Sequence, residues 1–378
     1  MRWRPPMPNP WPITTLAIGL VAAACSSSST LGPLLVQSAQ GGVSAVGLDG
    51  SASPLLEETP GVQVRQPTWS PDGRLAVWTE LEPAAMTASI AMGDETNQRR
   101  IEVPTAPFYY SWSPEGDRVA YLGNAPEGQG VALGMVEVAN GAATLVDGGA
   151  PYYFDWQPDG ERLAIHVAGR VLAFLAIDGT RTEIPIATGR FQAPAFLPDG
   201  RLVILTGGPP QSLSVIDGSG EITNLAPVDG VSMFVPTSAG DRIAYTDVSV
   251  EDGRGELRTV STSGGEPQVV DPGPVAGFAW DTTGTRLLYF TVDLEAQELI
   301  PNVWDGTEIT RYPGFSPSAT FLTEYLPFWD QYSRSLTLWS PEGDAFVIPN
   351  ASDRILVQRL EEESPADVGP GVFATWGG

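Results

Sequence analysis

The sequence predicts an all-β chain folded as an eight-bladed β-propeller, with seven blades as the alternative, and three observations carry that expectation. A W-S-P-D-G turn or a variant of it recurs as Trp69-Ser70-Pro71-Asp72-Gly73, Trp112-Ser113-Pro114-Glu115-Gly116, Trp156-Gln157-Pro158-Asp159-Gly160, Phe196-Leu197-Pro198-Asp199-Gly200 and Trp339-Ser340-Pro341-Glu342-Gly343. Weaker copies end at Gly240 and Gly284, so the glycines advance by 43, 44, 40, 40, 44 and then 59 residues, a period that belongs to propeller blades. Strands follow the turns, as in Arg74-Leu75-Ala76-Val77-Trp78 and Arg118-Val119-Ala120-Tyr121, and in most repeats a second hairpin dipeptide comes about twenty residues later, among them Asn140-Gly141, Asp178-Gly179, Asp217-Gly218 and Asp305-Gly306. Four strands per repeat, A to D, with turns A–B and C–D at fixed offsets, make one blade.

Read from the start, residues 1–24 look like an export signal. Arg2 and Arg4 give a basic start, and an apolar run from Ile13 to Ala24 ends in small residues just before Cys25, the only cysteine. That run is too short to span a bilayer as a permanent helix. Val21-Ala22-Ala23-Ala24-Cys25 resembles the lipobox of bacterial lipoproteins, in which the cysteine is lipidated and becomes the mature N-terminus; Ala22 departs from it, standing where Leu is commonest. The other reading is an ordinary secreted protein with an incidental free thiol. Residues 25–32, with the run Ser26 to Ser29, are a flexible tether, and 33–378 are the propeller.

Within the propeller, Leu34-Leu35-Val36, Val43 to Gly47 and Pro54-Leu55-Leu56 read as strands B, C and D with no A before them. Val372-Phe373-Ala374-Thr375-Trp376 reads as an A strand with nothing after it. Pairing the two closes the ring and removes two exposed sheet edges. With A strands at Trp69, Trp112, Trp156, Phe196, Val235, Trp280, Trp339 and Trp376, the count is eight; it falls to seven if 312–376 is not two regular units.

Net charge is −25, and every basic residue is arginine. Such a field repels nucleic acid and anionic headgroups, so neither is an expected partner, and the membrane is reached only through the lipid anchor. The enzyme readings are weak. No G-x-S-x-G nucleophile elbow is present. The single histidine, His166, alternates with Leu163, Ile165 and Val167 on a B strand and reads as structural. The Asp-box of sialidases fails because Gly73 follows Asp72 directly. No cofactor is expected. Calcium is the metal that Asp155, Asp281 and Asp330, beside A strands, would suit if they faced the channel, and it would serve a hydrolase or lyase acting on a carbohydrate or lactone; otherwise they are loop or strand-edge acids.

The repeat W-S-P-D-G-x-x-[LIV]-[AV]-[YFW] resembles the TolB-like propeller repeat over essentially the whole mature chain. The resemblance implies the fold and little about function, because such repeats occur in partner-binding proteins, in peptidase gates and in many other exported proteins. TolB proper carries an extra N-terminal α/β domain for which this chain has no room, so the resemblance does not extend to a Tol–Pal role.

Two groups of residues are candidates for binding. Aromatics precede several A strands, on the face opposite the A–B turns: Phe108-Tyr109-Tyr110, Tyr152-Tyr153-Phe154, Phe191, Met233-Phe234 and Phe328-Trp329. Each could wedge between blades; Tyr109 and Tyr152 are expected to be exposed, as one member of a pair. The second group is the insertion 326–335, where Trp329 and Tyr332 would stack on a ligand, Arg334 would hold an acidic group, and Asp330 and Gln331 would add polar contacts. The plainer reading is a cover for the channel mouth. The expected role is that of a monomeric, lipid-anchored, extracytoplasmic binding module for an envelope protein, peptide or glycan. Replacing Cys25 with Ala is expected to move the protein from the membrane fraction to the soluble one and to change its processing, read by fractionation and mass spectrometry. Unchanged membrane association with unchanged processing would contradict lipidation.

Overall fold

The computed structural model describes residues 33–377 apart from 127, 129, 190–191, 209, 231–232 and 249–254; the leader and the whole tether, Cys25 included, lie outside the described residues. Eight antiparallel sheets follow one another around a ring. Blade one comprises strands Gln63–Trp69, Ala76–Glu82, Thr87–Gly93 and Gln98–Glu102, and blades two to six repeat this order of A, B, C and D through Ile309–Arg311. Blade eight unites Phe373–Trp376 as its A strand with Leu34–Gln37, Val43–Val46 and Ala52–Leu56. Leu34 pairs with Trp376 and Gln37 with Phe373, so the expected closure of the ring holds, and so does the count of eight.

The recurring turn works in the same way in each blade. Its glycine takes a positive φ, 67° at Gly73 and 68° at Gly343, for example, which a residue without Cβ adopts at no steric cost. Its serine holds the loop: Ser70, Ser113 and Ser340 each donate to a turn carboxylate, of Asp72, Asp117 and Asp344, and accept a backbone N–H from the start of strand B. The aromatic position ties some neighbouring blades together, whereas the buried Nε1 atoms of Trp69, Trp112 and Trp376 have no partner among the described residues. Trp156, Trp280 and Trp339 donate from Nε1 to Ser111, Val235 and Ala279 carbonyls on the preceding A strand.

Blade seven departs from the pattern. Its sheet has three full strands, Ala345–Asn350, Arg354–Arg359 and Ala366–Pro370, and its A strand is reduced to a bridge between Trp339 and Phe346 with Val347 N–H donating to Leu338 O at 2.9 Å. The chain has just left the long connection from blade six and is held sideways by blade eight. Trp376 N–H donates to Thr337 O at 3.0 Å, and Thr337 N–H to Thr375 Oγ1 at 3.0 Å. That connection contains three short helical turns, Phe321–Tyr325, Leu326–Phe328 and Trp329–Tyr332, and a side chain caps only the first, Ser318 Oγ accepting Phe321 N–H at 3.1 Å. Turns this short are not stable by propensity, and packing shapes them.

Phe373 lies where closing strand and connection meet. It is fully buried and stacks on Tyr325 with ring centroids 3.9 Å apart. Truncation to Ala is expected to cost about 3–5 kcal/mol, read as a lower urea midpoint. A loss under about 1 kcal/mol would mean that closure does not depend on this contact.

Candidate functional site

The connection lies over the mouth of the ring, on the face opposite the A–B turns, and its side chains reach the inner strands of blade after blade. Trp329 Nε1 donates to Phe278 O of blade six at 2.9 Å, Gln331 Nε2 to Phe154 O of blade three at 3.0 Å, and Tyr332 OH to Phe108 O of blade two at 2.6 Å. The Arg334 guanidinium donates to the carbonyls of Ala193 and Pro194, before blade four, and of Phe234 in blade five. Thr68 of blade one donates to Ser335 O at 2.9 Å, and Tyr325 OH donates to Gln37 Oε1 of blade eight at 3.2 Å while accepting Gln66 N–H at 3.0 Å. Each carbonyl or N–H reached in this way belongs to an inner strand or its approach, where the backbone has no further strand to pair with.

Three of the predicted site residues therefore look inward. Trp329 and Tyr332 are buried, and Arg334, expected to hold an acidic group of a ligand, holds backbone carbonyls and lies 3.7 Å from Asp155. Gln331 is buried as well, and its Oε1 accepts no hydrogen bond within the described chain. Asp330 is mostly enclosed, and burial raises its carboxyl above the usual range against the pull of Arg334.

Tyr109 and Tyr152, expected to be exposed, are only 3% and 4% so. Tyr109 and Tyr110 pair in unbroken register and so take opposite faces of the strand, but each face packs into its own apolar cluster and both rings are buried; the β-bulge between Pro107 and Tyr109 leaves Phe108 exposed. Tyr109 packs edge-on against Phe154 and Tyr332, at 5.4 and 5.5 Å, and its OH donates to Gln331 O at 3.3 Å; burial pushes its phenol up to about 12. Tyr152 donates to Asp147 Oδ2 at 2.7 Å, and that carboxylate also holds Arg181. Burial, followed by this bond to a carboxylate, drives the Tyr152 pKa far upward.

The same residues wall a cleft. Between the connection and blades one to three lies an apolar hollow of about 340 Å³, lined by Tyr109, Tyr152, Gln331 and Tyr332 together with Phe108, Tyr153, Leu122, Gln66, Tyr325 and Phe328. Phe328 and Phe108 present rings 57% and 38% exposed. At the rim Arg65 and Glu324 form a loose ion pair at 4.0 Å. The cleft thus gathers four of the seven predicted binding residues as walls, leaving Trp329, Asp330 and Arg334 in the plug behind it. Sequence reasoning places Phe108 and Phe328 among the mouth aromatics but misses Arg65, Gln66, Glu324 and Tyr325. Glu324 and Tyr325 lie just before residue 326, where the insertion begins. Gln66 adopts a positive φ of 49° in an A-strand bulge, with its side chain bonded to both the N–H and C=O of Tyr110.

Comparison with known proteins adds the fold. No protein-family model and no curated protein matches the chain. It is similar to propellers. The propeller of a prolyl endopeptidase matches with a TM-score of 0.56 and 13% identity over 83% of this chain and 50% of the other, so the chain spans half of that enzyme. An oligogalacturonate lyase in complex with manganese matches at 0.53 and 14%, over 79% and 85%. TolB from Acinetobacter baumannii matches more loosely, at 0.44 and 13% over 72% and 75%. At such identities the shared feature is the ring and not its chemistry.

The acids considered for a channel metal do not converge. Asp281 closes an A–B turn, accepting Thr285 and Arg286 N–H at 2.8 and 3.0 Å. Asp155 accepts Phe196 N–H at 2.7 Å beside Arg334. Among the described residues no group of three or more His, Cys, Asp or Glu side chains gathers to hold an ion. His166 is fully buried, with Gln192 O 3.1 Å from Nδ1 and Thr188 Oγ1 2.9 Å from Nε2, and burial lowers its pKa.

Burial raises Asp155 above its unfolded value, with Arg334 opposing the shift. The stability linked to Asp155 is therefore complete below the ordinary carboxylate range and declines as pH rises through the raised folded value. Arg334→Gln removes the opposing charge and is expected to cost about 3–5 kcal/mol near neutral pH, with a smaller loss in acid, where Asp155 is protonated. Denaturant titrations at both pH values check this; an equal loss at both would mean that the pair with Asp155 contributes nothing.

Proposed function

We propose that this protein is an exported, lipid-anchored propeller of TolB-like type that acts as a binding module, taking a ligand or a partner side chain in the aromatic cleft between blades one to three and the connection. The observation that carries the reading is the contrast within one set of rings. Tyr109, Tyr152, Tyr325 and Tyr332 spend their hydroxyls on internal partners, whereas the side chains of Phe108 and Phe328 carry no polar atom and stand open to solvent. Two large exposed apolar rings flanking a concave apolar hollow are the usual dress of a binding site. The hollow falls within the size of pockets that enclose a small ligand or one large side chain. An envelope protein, peptide or glycan could each offer such a group, and each is within reach of a protein tethered at Cys25.

The walls are rigid because the hydrogen bonds of the plug fix them, so ligand binding need not order the protein first. Phe328→Ala and Phe108→Ala, singly and together, are expected to weaken binding of aromatic probes such as indole and p-cresol by roughly tenfold or more in ligand-observed NMR. The melting temperature should stay within a few degrees of the parent, because both rings lie largely outside the core. Probe binding that is unaltered in the double variant would overturn the assignment of the cleft.

A further inference from the structure

We infer that the cleft selects a small organic cation, an ammonium or amidinium group on an apolar or aromatic body, with Glu324 as its counter-ion. The inference rests on the cleft being the binding site and adds the charge of its ligand. Four observations on different groups support it.

The first is the rim. Arg65 and Glu324 are the ionic pair lining the cleft; at 4.0 Å, with side chains 42% and 38% exposed, they are barely in contact. An exposed pair at this separation is worth little, so a ligand cation entering from the cleft can replace Arg65 at Glu324 and leave the guanidinium in water. The pair alone would admit either exchange, a cation at Glu324 or an anion at Arg65, and the remaining groups of the cleft decide the sign.

The second is the set of rings. Phe108, Tyr153 and Phe328 border the hollow with Tyr109, Tyr152 and Tyr325 behind them. Aromatic faces attract cations through their quadrupole, by about 0.5–1 kcal/mol each in exposed sites and more when desolvated. They offer nothing comparable to a carboxylate.

The third is Gln331, whose amide lies in the wall. Its Nε2 is committed to Phe154 O, while its Oε1 is buried and accepts nothing within the described chain. A buried carbonyl oxygen without a donor leaves uncompensated negative character in this wall, which favours a cation over a carboxylate.

The fourth is the field. The chain carries −25, and carboxylates bear on the wall tyrosines from several sides: Asp147 on Tyr152, Asp330 on Tyr153, and Glu324 on Tyr325 and Tyr332. Arg181 opposes at Tyr152, and Arg65 at Tyr325 and Tyr332, where Glu324 exerts the larger influence. A field of this sign draws cations to the mouth and turns anions away.

The test compares three probes that share a phenyl ring and a short chain and differ in charge, namely phenethylammonium, 2-phenylethanol and 3-phenylpropionate, measured on the folded chain from residue 33 by ligand-observed NMR. The expected order is the ammonium first by roughly tenfold, then the alcohol, then the carboxylate. The preference for the ammonium should shrink as salt rises from about 0.02 M to about 0.5 M, a readout that needs no variant. Glu324→Gln should bring the ammonium down to the level of the alcohol. Equal binding of ammonium and alcohol, with both displaced in Phe328→Ala, would overturn the charge selection and leave the cleft standing. Tightest binding by the carboxylate would assign Arg65 as the counter-ion and overturn the inference outright. Binding of no probe would remove the cleft itself.

Discussion

The inner edge of the ring is the constraint on which the rest depends. Every A strand pairs with its B strand on one side and on the other faces the channel, where its backbone groups would be left without partners if no water reached them. Buried carbonyls without donors cost about 1–3 kcal/mol each, and a ring of eight strands multiplies the exposure. The chain meets it with side chains from a single connection. Trp329, Gln331, Tyr332 and Arg334, four residues within one and a half helical turns, donate to carbonyls of blades two, three, five and six and of the approach to blade four. Their chemistry suits that role, since a ring N–H, an amide and a phenol each serve one carbonyl and a guanidinium fork serves three at once.

This arrangement explains why the connection stays helical beyond its first turn, the only one with a side-chain cap. A tight coil places donors every one to two residues around its circumference, so they can radiate to strands that surround it. An extended strand would point them to two sides only. It also explains the reduction of blade seven. The chain that leaves the plug must travel from the channel axis to the periphery, and Thr337 pairs with the closing strand on the way. Regular A-strand pairing starts only at Leu338 and Trp339.

The scaffold was legible in the sequence for a physical reason. Blades one to seven repeat one local problem, the sharp A–B turn, and local problems leave local signatures: glycine where φ is positive, serine in three blades where a hydroxyl bridges the loop, and tryptophan in blades three, six and seven where an indole N–H meets the preceding blade. Even the closing blade could be read, because an unmatched A strand at one end and unmatched B, C and D strands at the other complement each other. The plug left no such signature. Donors to backbone carbonyls need neither period nor neighbour pattern, so Trp329 and Arg334 resemble ligand-binding groups on a loop when they are internal partners of the ring. The burial of Tyr109 is hidden for a related reason. Alternation assigns Tyr109 and Tyr110 to opposite faces, as the register shows, but both faces of a propeller blade pack against neighbours, so neither ring is left to solvent. Gln66 is the hardest to see, since nothing in a glutamine's neighbours announces a left-handed backbone.

Stability and recognition meet in the same residues here, yet through different atoms. Phe108 gives its carbonyl to Tyr332 and its ring to the cleft. Gln331 gives its amide nitrogen to blade three and keeps its oxygen unpaired. The backbone atoms of the inner strands anchor the plug, and the plug then fixes the side chains of those strands as walls. A site assembled in this way is rigid on three sides, and only its rim, the loose pair of Arg65 and Glu324 with the exposed ring of Phe328, is free to answer a ligand. With exposed groups confined to the rim, few side chains are left to order when a ligand binds. It also places the groups that can discriminate charge at the entrance, where an approaching ligand meets them first.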